Sequence, residues 1–254
     1  MNDLKMKDLN QRYADLVRKR YEENVECGKK AVEYLESSTA VYHGVPVACL
    51  YMPKLYSDDV WEYLNDVSNT TCKILDKVIR RYLSDPEYRK LFPFSPELEE
   101  LILLEAGYPR LLPIARLDIF LNEEDYSFSF CEFNADGAST MNEDREANLS
   151  IQNSDALTKM RENYNIESFE LFDSWVQEFV DIYESYEGKK VKSPRVIISD
   201  FMEGATANEF IEFKKAFQRA GLEADICEIR DFVYENGELR TPDGKKVDAV
   251  YRAW

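Results

Sequence analysis

Three observations predict an α/β (α+β) fold for this 254-residue chain. Its N-terminal region carries apolar side chains at three- and four-residue steps, the mark of amphipathic helices. Residues 113–135 alternate like two antiparallel strands around an acidic turn. Residues 195–229 read as strand, helix, strand, which makes a small parallel sheet.

Taken in order, Leu9, Tyr13, Leu16, Val17, Tyr21, Val25, Val32 and Leu35 predict one or two amphipathic helices between Asp3 and Ser37. "TAVYHGVPVACLYMPKLYS" follows as an irregular, β-prone connection punctuated by Gly44, Pro46 and Pro53. Ser57 and Asp58 then signal a helix start, and a long helix is expected over Asp59–Leu83. Prolines and Gly107 delimit short helices, the second near Glu97–Leu104. "LPIARLDIFLN" and "YSFSFCEFNA", joined by "EED", read as a hairpin over Pro113–Ala135. Strict period-two alternation puts Ile114, Arg116, Asp118 and Phe120 on one face of the first strand. The same rule puts Phe128, Phe130, Glu132 and Asn134 on one face of the second.

A polar helix-prone stretch comes after Asn142, and "ESFELFDSWVQEFVDIYESY" is strongly amphipathic. "EGKKVKSP" reads as a linker, so residues 1–190 and 191–254 are expected to form two units, the second set apart from the N-terminal helices. In that second unit "RVIISD" is a continuous apolar strand, "ATANEFIEFKKAFQRAG" a helix ended by glycine, and "LEADICEI" a parallel partner strand. A hairpin turn at Asn236-Gly237, a turn at Asp243-Gly244 and a last strand "DAVYRAW" complete it. The sequence stops on Trp254 inside an apolar strand, where natural termini tend to be polar, and we expect the polypeptide to be truncated there.

Composition narrows the function. A hydrophobic fraction of 44% is ample for a folded core. Net charge is -17, and without a run of Lys and Arg nucleic acid is excluded as a partner. No apolar run approaches the roughly 20 residues of a membrane span and no signal-type segment opens the chain, so a cytoplasmic protein without membrane contact is expected. Cys27, Cys49, Cys72, Cys131 and Cys227 are odd in number and widely spaced, which predicts free thiols. His43 is the single histidine, which disfavours zinc, Ser-His and Cys-His chemistry.

The hairpin concentrates the informative residues. Asp118, Glu132 and Asn134 are three oxygen donors on neighbouring strands, a set suited to a hard cation such as Mg²⁺. Arg116 would point a rigid fork of donors at the same cleft, where phosphate or carboxylate is the natural guest. The loop beyond holds Asp136, Gly137 for close approach, and the hydroxyls of Ser139 and Thr140. From residue types alone two readings stand: a nucleotide-metal site, or a structural salt bridge of Arg116 with Asp118 or Glu132 beside a turn and a helix cap.

The pattern "ARLD...FCEFNADGAST" resembles the R-x-D and E-[FY]-N-A-D signature of glutathionylspermidine synthase and its circularly permuted ATP-grasp relatives. That resemblance implies an ATP-grasp-type hairpin in the first unit and a Rossmann-like pre-ATP-grasp domain in the second. It implies ATP and Mg²⁺ as cofactors, with Asp118, Glu132 and Asn134 as metal ligands and Arg116 as the catalytic arginine facing the transferred phosphoryl group. Ser139 falls where the family places a hydroxyl near the peptide substrate's carboxylate. Glu203 falls where relatives carry acids near the amine, and Arg252 matches the basic residue of a D-x-x-Y-R strand. The implied function is an ATP-dependent carboxylate-amine ligase working through an acyl phosphate on a small carboxylate or peptide and an amine. "DGAST" replaces the family's proline-containing loop, which leaves both substrates open. The nucleotide-clamping lysines implied by the resemblance are expected beyond Trp254, so residues 1–254 alone are expected to turn over no ATP. The alternative function is a substrate-binding or protein-interaction module without catalysis.

Overall fold

The computed structural model describes residues 5–42, 44–135, 138–203 and 207–252. His43, Asp136, Gly137 and Trp254, all singled out above, lie outside the described residues. The fold is a mixed α+β arrangement with an antiparallel hairpin and a separate parallel sheet.

Two helices, α1 (Met6–Lys19) and α2 (Tyr21–Ser37), open the chain. The sequence stripe is only half used: Met6, Tyr13, Ala31 and Leu35 are buried, whereas Tyr21, Val25 and Val32 face solvent. The buried line of α2 instead passes through Asn24, whose Oδ1 accepts from the Tyr51 hydroxyl (2.9 Å) and the Ala156 N–H (3.1 Å). A buried amide so satisfied costs little, which periodicity of apolar residues cannot reveal. The strands β1 (Val41–Tyr42) and β2 (Val45–Pro46) form a small hairpin. The long helix α3 (Asp58–Ser84) matches its expected span. Its successors α4 (Pro86–Arg89) and α5 (Pro96–Ile102) each begin with proline after a side-chain cap, Asp85 for the former and Ser95 for the latter.

After the site hairpin, β3 (Arg116–Leu121) and β4 (Phe128–Asn134), come α6 (Met141–Ile151), α7 (Asp155–Arg161) and α8 (Phe172–Ser185). The parallel sheet has the order β6 (Glu223–Glu228), β5 (Arg195–Asp200), β9 (Ala249–Arg252), with α9 (Ala207–Arg219) crossing from β5 to β6. Every residue of β5 is buried, as a central strand covered on both faces requires. Between β6 and β9, β7 (Val233–Glu235) and β8 (Glu238–Arg240) make a hairpin whose Asn236 and Gly237 both take positive φ, the two-residue turn expected of that dipeptide.

The boundary expected at residue 190 does not divide the core. Phe172, Trp175 and Val176 of α8 share one core with Val196 and Ile198 of β5, Phe210, Phe213 and Phe217 of α9, and Tyr251 of β9. Phe213 stands between Phe172 (centroids 4.7 Å) and Tyr251 (4.8 Å). The polar segment before β5 is a connection on the surface, and the apolar face of α8 crosses it to cover the sheet. Ile114, just before β3, and Met141, just after the site loop, pack on the same core, so the chain on either side of the hairpin rests on the parallel sheet.

Candidate functional site

The two site strands pair antiparallel with Arg116 opposite Asn134, Leu117 opposite Phe133 and Asp118 opposite Glu132. Directly opposed residues project to the same face, so Arg116, Asp118, Glu132 and Asn134 gather on one side of the hairpin. The register then shifts, because Ile119 pairs with Phe130 and Cys131 is left over as a bulge. This corrects the strict alternation expected for β4. Phe128 and Phe130 stand with Leu121 and Ile119 on the apolar side, and only Glu132 and Asn134 stand with the charges. Phe128 meets Phe130 (5.2 Å) and Tyr63 of α3 (6.2 Å) on that apolar side.

Arg116 organises the polar face. Its Nε and Nη2 donate to the two carboxylate oxygens of Asp118 at 2.8 and 3.3 Å, and Nη1 donates to the Ala138 carbonyl at 2.6 Å. Glu132 Oε1 lies 3.6 Å from Nη2 and accepts from the Asn134 amide at 3.1 Å. The guanidinium holds the Asp118 carboxyl below the usual carboxylate range, chiefly by its hydrogen bond. A guanidinium has five N–H donors, and among the described residues three are used in these bonds, with the Glu132 carboxylate also beside Nη2.

Ala138 is buried, and the next two residues, Ser139 (φ 33°) and Thr140 (φ 68°), are both in the left-handed region that non-glycine residues avoid. Ser139, the expected carboxylate-binding hydroxyl, thus adjoins the carbonyl that anchors Arg116. Thr140 occupies the N-cap position of α6 but makes no side-chain cap. The cap comes from Glu209 of α9, whose Oε2 accepts from the Asn142 N–H at 3.1 Å. Burial, then the charge of Glu143, push the Glu209 carboxyl up, while the amides of Asn142 and Met141 and the charge of Arg116 draw it down. Glu143 itself has a buried oxygen, Oε2, without a hydrogen-bond partner among the described residues.

The other two expected site residues lie at the carboxyl ends of the parallel strands, where open α/β sheets leave a crevice for ligands. Glu203 follows β5, is exposed, and pairs with Arg230 at 3.1 Å. Arg252 ends β9, in register with Ser199. Neither belongs to the hairpin cluster of Arg116, Asp118, Glu132 and Asn134. Glu209 escaped the sequence reading. Its signal was the spacing of Glu209 and Glu212 on the same helical side as Phe213 and Phe217, where an acid is out of place unless partnered.

As a cation site, the cluster offers two carboxylates and a carboxamide, an all-oxygen set that fits Mg²⁺. Among the described residues no group of three or more His, Cys, Asp and Glu could hold a metal. The remaining positions would therefore go to phosphate oxygens and water, which is how Mg²⁺ is commonly held. No helix among the described residues is long and apolar enough to cross a membrane. Comparison with protein-family models gives no match, and comparison with curated proteins gives none.

Proposed function

We propose that the hairpin cluster belongs to an ATP-dependent carboxylate-amine ligase of the circularly permuted ATP-grasp type. The observation that carries this reading is the register that sets Arg116, Asp118, Glu132 and Asn134 on one face. Asp118, Glu132 and Asn134 would hold Mg²⁺, which supplies charge neutralisation at the phosphates when bound. Arg116 would face the γ-phosphoryl group, held in orientation by Asp118 and Ala138. A preset donor fork of this kind stabilises charge as it develops and needs no rearrangement at the moment of reaction.

In the reaction, an oxygen of the substrate carboxylate attacks the γ-phosphorus as the bond to the bridging oxygen breaks and ADP leaves. The amine nitrogen then attacks the acyl carbon, the bond to phosphate breaks, and the amine proton passes to solvent. Ser139 would bind the carboxylate substrate beside Arg116. Glu203 and Arg252, at the carboxyl edge of the parallel sheet, would receive the amine and its anionic partner group. The test is phosphate release from ATP, with and without Mg²⁺, by the protein expressed from its complete reading frame and offered panels of small carboxylates, peptides and amines. Release that requires both a carboxylate and an amine supports the reading, and release indifferent to both contradicts it.

A further inference from the structure

We infer that Glu209 is a positioning residue for Arg116, acting from α9 through the first turn of α6 and the strained segment Ala138–Thr140; this rests on the ligase reading above. The chain of contacts is continuous. Glu209 Oε2 accepts from the Asn142 N–H at 3.1 Å, Asn142 and Met141 open α6, and Thr140 and Ser139 lead back to Ala138, whose carbonyl accepts from Arg116 at 2.6 Å.

Three features make the link more than a surface contact. Glu209 is 4% exposed, so its carboxylate is held in place by packing and not by chance. Its neighbour Asn208 donates to the Thr39 carbonyl at 3.0 Å, which fixes the start of α9 against the end of α2. Ser139 and Thr140 are consecutive non-glycine residues at positive φ, a strained conformation that persists only when both flanks are held. Arg116 holds one flank, at Ala138. Glu209 holds the other, and it replaces the cap that Thr140, in its left-handed conformation, does not provide. Without Glu209 the segment would relax, the Ala138 carbonyl would withdraw, and Arg116 would keep only its bonds to Asp118. The metal donors sit on the hairpin itself and would not move. Helix α9 thus sets the phosphate-facing arginine while leaving the cation donors alone.

The test is calorimetric titration of MgATP, and of Mn²⁺ without nucleotide, into the protein expressed from its complete reading frame. Losing an outer-shell partner typically costs about 10–100-fold in affinity. Glu209→Ala should therefore weaken MgATP binding by about that factor and leave Mn²⁺ binding unchanged, while Glu209→Gln, which keeps an acceptor oxygen, should stay near wild type. Should the alanine variant not fold, Glu209→Asp, which withdraws the carboxylate by one methylene, should show the same split. Adding Arg116→Ala should erase the effect of Glu209→Ala, and Thr140→Gly, which removes strain at that residue, should restore most of the affinity. Equal MgATP affinity in wild type and Glu209→Ala, or parallel loss of Mn²⁺ and MgATP, overturns the inference while the ligase reading stands. A wild type that binds neither Mn²⁺ nor MgATP overturns both.

Discussion

Deleting Cys131 should leave both the hairpin and its polar face intact, whereas deleting Ser129, two positions away, should not. Cys131 is exposed and is the one residue of β4 without an opposite number on β3. Its removal brings Phe130 next to Glu132 in regular alternation with every existing pair retained, Asp118 with Glu132 and Ile119 with Phe130. The expected cost is that of a surface change, within about 0.5 kcal/mol. Ser129 pairs with Phe120, and its loss would shift Phe128 by one position onto the charged face. Phe128 would forfeit about half of the roughly 2 kcal/mol of a buried phenylalanine, and about 0.5 kcal/mol for each of its contacts with Phe130 and Tyr63. The sum is about 2 kcal/mol, or a fall of about 4–8 °C in Tm for a chain of this size. Urea unfolding and Mn²⁺ titration of the two deletions measure both effects. If the Cys131 deletion destabilises as much as the Ser129 deletion, or loses Mn²⁺ binding, the bulge is not what separates the two faces.

Phe213→Ala should cost about 3–5 kcal/mol, since the ring is 1% exposed. A double-mutant cycle with Phe172 should show coupling of about 0.5–1.5 kcal/mol, measured by denaturant unfolding, and no coupling would mean that α8 does not share the sheet's core. Stability should also depend on pH through Glu209. Its folded pKa is raised above 4.5, chiefly by burial, so protonation favours the folded state. That contribution is full below the unfolded value and fades as pH rises through the folded one. Wild type should therefore gain stability relative to Glu209→Gln as pH falls from neutrality toward 4.5, and parallel pH profiles would refute the assignment. Asp118 runs the other way. Its pKa is depressed from 3.8 by Arg116, so its contribution is present above 3.8 and disappears as pH falls through the lower folded value.

The parallel sheet was legible because "RVIISD", short and rich in β-branched residues, reads as a strand buried on both faces and "ENGE" as a tight turn. The hairpin and its charged residues were legible from alternation. The face of Phe128 and Phe130 was not, since a bulge breaks the period without altering composition; the three-residue step from Phe130 to Phe133 is its only trace. An amphipathic helix announces that it has a buried side but not which core it joins, so the polar segment before β5 suggested a boundary that the apolar side of α8 crosses. Glu209 was missed for a related reason, because a buried carboxylate has meaning only once its partners across the chain are known.

The most direct test of the central claim is phosphate release from ATP by wild type and Glu132→Gln, each expressed from its complete reading frame and supplied with Mg²⁺, a carboxylate and an amine. Gln preserves the size of Glu132 and its acceptor toward Asn134 but removes one of the two carboxylates of the cation site. The account predicts Mg²⁺-dependent release by wild type and a loss of at least about 100-fold in the variant, beyond what an outer-shell residue typically costs, with an unchanged melting temperature. Turnover by Glu132→Gln at the wild-type rate would contradict it.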